Sequence, residues 1–370
     1  MPRPPEDDAL EGDALVGDAI VGDAIETRSG RSANVTLRDV AKAAGVHYST
    51  ASRALSGDPT PRVSALTAER VRRVAEQLGY RPHMGARGLR KGRTGIIGVV
   101  VADLGNSFIA QVIRGIENAL EPRGLMAVIA ETQDEPARFE HVLEHLASRR
   151  VDALITSSAR LGDVEMLTTF AKREAPVVLV VRNLPDSGLP CVHADDRRGG
   201  ELVAGYLAEL GHRTLAQLRG PQDMLPFIDR GEGFQARAAE LDVQVVDLDE
   251  SASAPSYEEG QRLMVHLLAG RTPKPTAIFA HNDPMAMGAL DVLVRSGLNV
   301  PNDVSIVGFN DNDFTDHVEP PLSTIRIHGY EMGRRAGDLA YRLVEDGQTS
   351  APNVVIPPLL IPRSSTRRHG

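Results

Sequence analysis

The chain has 370 residues, enough for two or three domains, and its 42% hydrophobic and 25% charged content is that of a protein able to bury a real core. Its 50 acidic and 41 basic residues leave a net charge of −9, which taken whole argues against nucleic acid as a partner. A single cysteine, Cys191, excludes an internal disulfide framework and any multi-cysteine metal site; no apolar run approaches the ~20 residues that span a membrane.

Residues 1–34 hold three arginines against eight acids, and Gly12-Asp13-Ala14 recurs as Gly17-Asp18-Ala19 and Gly22-Asp23-Ala24. A period of five matches neither 3.6 nor 2, so no face collects the apolar positions and a disordered acidic tail is expected. No continuous apolar stretch follows basic residues there, so no secretory signal is read and a cytoplasmic setting is expected.

Residues 35–93 invert the charge, with twelve Lys and Arg against four acids, while residues 94–370 return to −12. A +8 block inside an acidic chain is the electrostatic footprint of a DNA-binding module. Thr36 and Asp39 have the spacing of a helix cap, and Leu37, Val40, Ala41 and Ala44 form the buried stripe of the helix that follows. Gly45-Val46 makes a turn. A second helix, from Tyr48 to Leu55, buries Ala51, Ala54 and Leu55 and points Tyr48, Ser49, Ser52 and Arg53 outward. Ser64 caps a third helix, whose buried face is Val71, Val74, Ala75 and Leu78 and whose stop is Gly79. Two helices across a glycine turn, closed by a third, is helix-turn-helix architecture, in which the second helix enters the major groove. Spacing alone leaves an ordinary three-helix bundle open.

From Gly95 to Val101 the chain is continuously apolar, as a parallel strand covered on both faces must be. Strand-like runs follow near residues 125–130, 153–156, 177–181, 215–218, 243–248, 277–280 and 305–309. Amphipathic helices alternate with them near 109–120, 135–147, 200–210, 234–241, 258–268 and 285–296. This is α/β doubly wound architecture, too long for one ordinary sheet, so two lobes with a ligand cleft between them are expected. No phosphate-cradling glycine motif, nucleophile elbow or metal-ligand cluster is evident, so no enzyme, cofactor or metal is expected. Cys191 is expected to be a small buried residue, and His212, after Gly211, to meet carbonyls at a helix end.

The order and spacing of several motifs together carry a resemblance. Val35-Thr36-Leu37-Arg38-Asp39-Val40-Ala41, Ser49-Thr50-Ala51-Ser52-Arg53-Ala54-Leu55 and Leu78-Gly79-Tyr80-Arg81-Pro82 are the first three. Arg230-Gly231-Glu232-Gly233-Phe234, Asn282-Asp283-Pro284-Met285 and Ser305-Ile306-Val307-Gly308-Phe309 complete them. Over roughly residues 35–365 the chain resembles the lactose/galactose repressor (LacI-type) family. The resemblance implies an all-α helix-turn-helix head (35–82) behind the tail (1–34), then a hinge (83–93). A periplasmic-binding-protein-like effector and dimerisation region of two doubly wound α/β lobes follows (94–370). The lobes would be 94–192 plus 326–350, and 193–325 plus 351–365. It further implies a transcription regulator, often a repressor, acting as a homodimer or tetramer on a pseudo-palindromic site in double-stranded DNA. Its DNA affinity would be controlled by a carbohydrate- or nucleoside-like effector held between the lobes. A solute-binding transport protein has the same two-lobed fold but no use for a basic head.

By resemblance Tyr48, Ser49 and Arg53 occupy base-reading positions, and the Arg53 guanidinium can pair bidentately with a guanine edge. Thr36, Thr50 and Ser52 fall at phosphate-contacting or capping positions, Leu37 is a further DNA-binding position, and Ala86 and Leu89 match the hinge segment that wedges the minor groove. The effector positions map to Asp103, Asn106, Phe108, Arg182, Arg230, Asn282, Asp283 and Asn310. Arg230 is expected to clamp a ligand hydroxyl or carboxylate, or else to form a surface ion pair, and Asp283 to cap the helix after it. Val181 and Asn310 stand where the family often has aspartate, which removes two acceptors for sugar hydroxyls. His47 stands in place of the usual capping serine, a change that weakens a helix start by about 1 kcal/mol. His83 replaces the hinge asparagine, and Gly85 and Gly88 each cost the hinge helix about 1 kcal/mol. So short and glycine-rich a helix should fold only on DNA. Hinge amides are therefore expected to exchange freely in the free protein and to gain protection on operator; protection without DNA would contradict this.

Overall fold

Helix α1 (Leu37–Ala43) starts at a reciprocal cap. Thr36 Oγ1 accepts from the Asp39 N–H at 3.4 Å, and Asp39 Oδ2 accepts from the Thr36 N–H at 2.8 Å. Gly45, at φ 64°, takes the left-handed turn that leads into α2 (Tyr48–Ser56). His47 caps better than its residue type suggests. Its Nδ1 accepts from the Ser49 N–H at 3.3 Å, so one orphan donor of the helix start is satisfied after all. Ser64 caps α3 (Ala65–Gln77) through the Thr67 N–H, and Gly79 at φ 66° ends the head's last turn. Val40, Ala41, Ala44, Ala51, Ala54, Val71 and Ala75 make its core, with Leu37 and Leu55 packed against it.

This computed structural model describes residues 35–56, 63–80, 93–246, 248–270, 273–348 and 351–370. The tail, most of the loop after α2, and the hinge positions Ala86 and Leu89 lie outside the described residues.

The second unit is separate in its contacts. Its first stretch runs β1 (Ile96–Val101), α4 (Ser107–Leu120), β2 (Met126–Glu131), α5 (Pro136–Ser148), β3 (Ala153–Thr156), α6 (Val164–Arg173), β4 (Val177–Val180) and β5 (Cys191–Ala194). Then come α7 (Asp196–Glu209), β6 (Thr214–Leu218), α8 (Leu225–Glu240), β7 (Gln244–Val246), α9 (Tyr257–Ala269), β8 (Ala277–Ala280), α10 (Asp283–Arg295) and β9 (Ser305–Val307). It closes with β10 (Thr324–Arg326), α11 (Gly329–Asp346), β11 (Val354–Ile356) and β12 (Leu359–Ile361).

Two all-parallel sheets result, in the orders β11-β5-β4-β3-β1-β2 and β7-β6-β8-β9. Helices cover both faces of each, which is why β3, β4 and β8 are buried along their whole length and read as unbroken apolar runs. One boundary differs from expectation. The sequence places residues 351–365 in the second lobe, yet Val354–Ile356 forms the edge of the first sheet, with Val354 opposite Val192. The chain passes between lobes three times, after β5, after β10 and after β11. Strands β10 and β12 pair antiparallel beside these passages, with Ile325 opposite Leu360.

Helix α8 begins nine residues earlier than its apolar pattern suggests, because Gly231 and Gly233 interrupt that pattern. Gly233 is there for packing. A Cβ on it would lie 2.0 Å from the Arg197 carbonyl, and one on Gly200 would lie 2.0 Å from the Arg230 carbonyl. Helices α7 and α8 therefore cross backbone to backbone. Cys191 is fully buried in β5, and burial pushes its thiol up. His212 is buried, its Nε2 3.2 Å from the Arg367 carbonyl and its Nδ1 2.9 Å from Thr276 Oγ1, tying the C-terminal segment to the second lobe. Among the described residues no helix is long and apolar enough to cross a membrane.

Candidate functional site

Two surfaces carry the candidate chemistry. On the head, Ala51 and Ala54 anchor α2 and leave Tyr48 half exposed and Arg53 exposed, with Ser49, Thr50 and Ser52 partly so. Arg38 and Lys42 of α1 and Arg70, Arg72 and Arg73 of α3 are exposed too, basic groups suited to phosphates. Thr36 donates its hydroxyl to Asp39 at 2.6 Å and so serves first as a cap. Leu37 packs its side chain on the head's core. Any contact it makes with DNA must run through its backbone N–H, which lies in the first turn of α1, where helix N–H groups have no partner in the helix.

The second surface is a cavity of about 630 Å³ between the lobes, at the carboxyl ends of β1–β4, β8 and β9. All eight residues expected at the effector site line it. Two of them cap helices that point at the cavity. Asn106 Oδ1 accepts from the Phe108 N–H at 3.1 Å at the start of α4, and Asn282 Oδ1 accepts from the Met285 N–H at 2.8 Å at the start of α10. The capping role expected of Asp283 thus belongs to Asn282, since the chain extends through Asn282 and only there can a side chain turn back on the helix.

Asp283 instead is 1% exposed and holds the loop after β9. Its carboxylate accepts from the Asn312 N–H at 2.7 Å and from Thr324 Oγ1 at 2.6 Å. Burial pushes this carboxyl up to about 6, against the pull of those hydrogen bonds and with the neighbouring Asp311 charge adding to the rise. The loop it holds is strained, with Asn310 at φ 119°, Asp311 at 59° and Phe314 at 69°. Across the cleft, Asn312 Nδ2 donates to Asn106 Oδ1 at 3.2 Å and the Asp313 N–H to Ser107 Oγ at 3.3 Å. The second lobe is thereby latched to the first at the start of α4.

The arginines are committed internally. Arg182 makes a bidentate pair with Asp134, at 2.6 and 3.0 Å. Arg230 is 3% exposed, with Nε 2.8 Å from Asp196 Oδ1, Nη1 2.6 Å from the His281 carbonyl, and its guanidinium 3.8 Å above the Phe309 ring. It is neither a surface ion pair nor an open clamp, because the crossing of α7 and α8 brings Asp196 under it. Sequence reasoning missed Gln133, Asp134, Ser157, Phe227, Tyr257 and Asn312 in the lining. Asn312 alone had a signal, the polar run Asn310-Asp311-Asn312-Asp313 straight after an apolar strand.

Asp283 gives the cleft a pH signature. A carboxyl that binds its proton more tightly when folded adds stability below its unfolded value of about 3.8, and that contribution is lost as pH rises through about 6. Two units correspond to about 3 kcal/mol. The melting temperature of Asp283→Asn minus that of the wild type should therefore increase from pH 4.5 to pH 7.5. A constant difference would mean that Asp283 ionises as freely in the fold as in the unfolded chain.

Known proteins share both parts. Residues 36–83 match the bacterial regulatory proteins of the lacI family, and residues 204–366 match a periplasmic binding protein-like domain. The HTH-type transcriptional repressor CytR of Escherichia coli strain K12 is 30% identical over 332 residues, which is 90% of this chain and 96% of that one. The lac repressor dimer, solved bound to operator and the anti-inducer ONPF, superposes with a TM-score of 0.81 at 27% identity, over 90% of this chain and all of that one. A complex of the transcriptional regulator CelR with cellobiose superposes with a TM-score of 0.67 at 30% identity, over 90% of this chain and 99% of that one.

Proposed function

This chain belongs to the lacI family of bacterial regulatory proteins, and on that premise we propose that it is a repressor whose operator affinity is set by a small molecule in the cleft. The observation that carries this reading is the pairing, on one chain, of a helix-turn-helix head and hinge of charge +8 with a two-lobed cavity. A transport protein has no use for the head. Two heads, one from each protomer of a homodimer, read a pseudo-palindromic site in double-stranded DNA, because protein two-fold symmetry is mirrored in the operator. Arg53, Tyr48 and Ser49 face base edges; Thr50, Ser52 and the first turn of α1 face phosphates; Ala86 and Leu89 of the hinge (83–93) face the minor groove. This work is done in the cytoplasm, and we assign the cleft no reaction, cofactor or metal.

In the cleft Asp103, Asn106, Phe108 and Arg182 of the first lobe and Arg230, Asn282, Asp283 and Asn310 of the second surround a carbohydrate- or nucleoside-like effector. A ligand touching both lobes competes with the Asn106–Asn312 latch and so biases the angle between them. That angle fixes the spacing at which two hinges leave the dimer, and hence the DNA affinity. The test is selection of DNA from random sequence by the purified full-length chain at physiological salt, with and without sugars and nucleosides. A two-fold symmetric site whose binding falls steeply with salt, and shifts with one ligand, is the expected result. No enriched sequence, or a log–log salt slope near zero, would sink the reading.

A further inference from the structure

We infer that the effector carries no negative charge: it is a hydroxyl-bearing ring, neutral or with a basic amine, and not a phosphate ester or a carboxylate. The inference deepens the reading of the cleft above and rests on it. Among the described residues six carboxylates line the cavity, those of Asp103, Glu131, Asp134, Glu258, Asp283 and Asp313, against the guanidiniums of Arg182 and Arg230. Neither guanidinium is waiting for an anion. Arg182 is held by both oxygens of Asp134, and Asp134 also faces Arg160 at 3.8 Å. Arg230 is held by Asp196 and the His281 carbonyl, and Asp196 is itself buried. An entering anion would have to break one of these pairs and strand its carboxylate in a site already rich in carboxylates.

Two neutral polar groups of the lining are left without partners. Ser157 Oγ is buried in the lining with no partner among the described residues, and so is Asn312 Oδ1. An unmet buried polar group costs about 1–3 kcal/mol, so a ligand hydroxyl that reaches either group on a small shift of the lining gains that free energy. Phe108, Phe227 and Tyr257 add flat apolar walls that suit the face of a sugar ring or a base. A ligand amine would gain further from the carboxylates.

The test is calorimetry of the full-length chain with two matched sets. One is galactose, galactosamine, galacturonate and galactose 6-phosphate; the other is adenosine and its 5′-monophosphate. A neutral or amino member should bind, and its anionic relative should bind at least about 100-fold more weakly. The inference is overturned if an anionic member binds as tightly as its parent, if only anionic members bind, or if no neutral or amino member binds. Asp134→Asn releases Arg182 and should raise affinity for the anionic member at least about tenfold; an unchanged anion affinity beside an intact neutral one also overturns it. Calorimetry uses no operator, so the two readings fail separately. Operator binding by a chain that prefers the phosphate ester sinks only the charge class. Ligand binding by a chain that selects no DNA sequence sinks only the repressor.

Discussion

Arg53→Ala is expected to abolish the preference for one DNA sequence while leaving ligand binding in the cleft unchanged. Arg53 is exposed on α2, and its removal leaves the buried Ala51 and Ala54 in place. Alanine is also the best helix former, so α2 should persist. A bidentate guanidinium–guanine pair discriminates by about 1–3 kcal/mol, and a dimer makes it twice, so the loss should be about 30-fold to 10⁴-fold in specific affinity. Non-specific binding should largely survive, because Arg38, Lys42, Arg70, Arg72 and Arg73 keep the head basic. Competition of an operator fragment against random duplex, with calorimetry of the ligand in parallel, separates the cases. Loss of both activities would mean that the head's removal from DNA came from damage to the fold. Loss of neither would move base reading away from this residue.

Where an element is decided locally, it is legible in the residues. The head's caps, its alanine face and its glycine stops all lie within a few positions of the backbone they fix, so α1, α2 and α3 fall where the pattern puts them. The parallel strands are legible because burial on both faces leaves an unbroken apolar run. All eight cleft residues inferred from resemblance line one cavity, since strand ends in this topology converge. What escaped is tertiary. Strands β10, β11 and β12 are three residues each and exist only because the chain passes repeatedly between the lobes. The partner of Arg182 is 48 residues away and that of Arg230 is 34 away. Asp134 offers its carboxylate from a left-handed backbone at φ 56°, which residue type does not announce. Charge behaves the same way: a net −9 describes no part of a molecule whose residues 1–34 carry −5, its head and hinge +8 and its body −12.

The Arg230–Asp196 pair is the other place where one substitution should tell most. Asp196→Leu leaves a guanidinium 3% exposed with no countercharge, and breaking such a pair costs about 3–5 kcal/mol. That is a large part of the 5–15 kcal/mol or so that holds an ordinary domain together. Arg230→Met removes the other partner, but the two variants should not behave alike. Burial already pushes the Asp196 carboxyl up, and Arg230 pulls against it more than His193 does. Without Arg230 the carboxyl can escape its stranded charge by binding a proton, whereas a guanidinium cannot lose one. The defect of Arg230→Met should therefore shrink on going from pH 8 to pH 5, as the folded state binds a proton that the unfolded chain has released. The defect of Asp196→Leu should stay. Combining the two restores an apolar contact between α7 and α8, at the crossing where Gly200 and Gly233 bring the backbones together, and should recover most of the stability. Denaturant titrations of the two single variants and the double variant at both pH values decide it. Additive losses with no pH difference between the single variants would mean that the pair is a bystander to the crossing rather than its electrostatic lock.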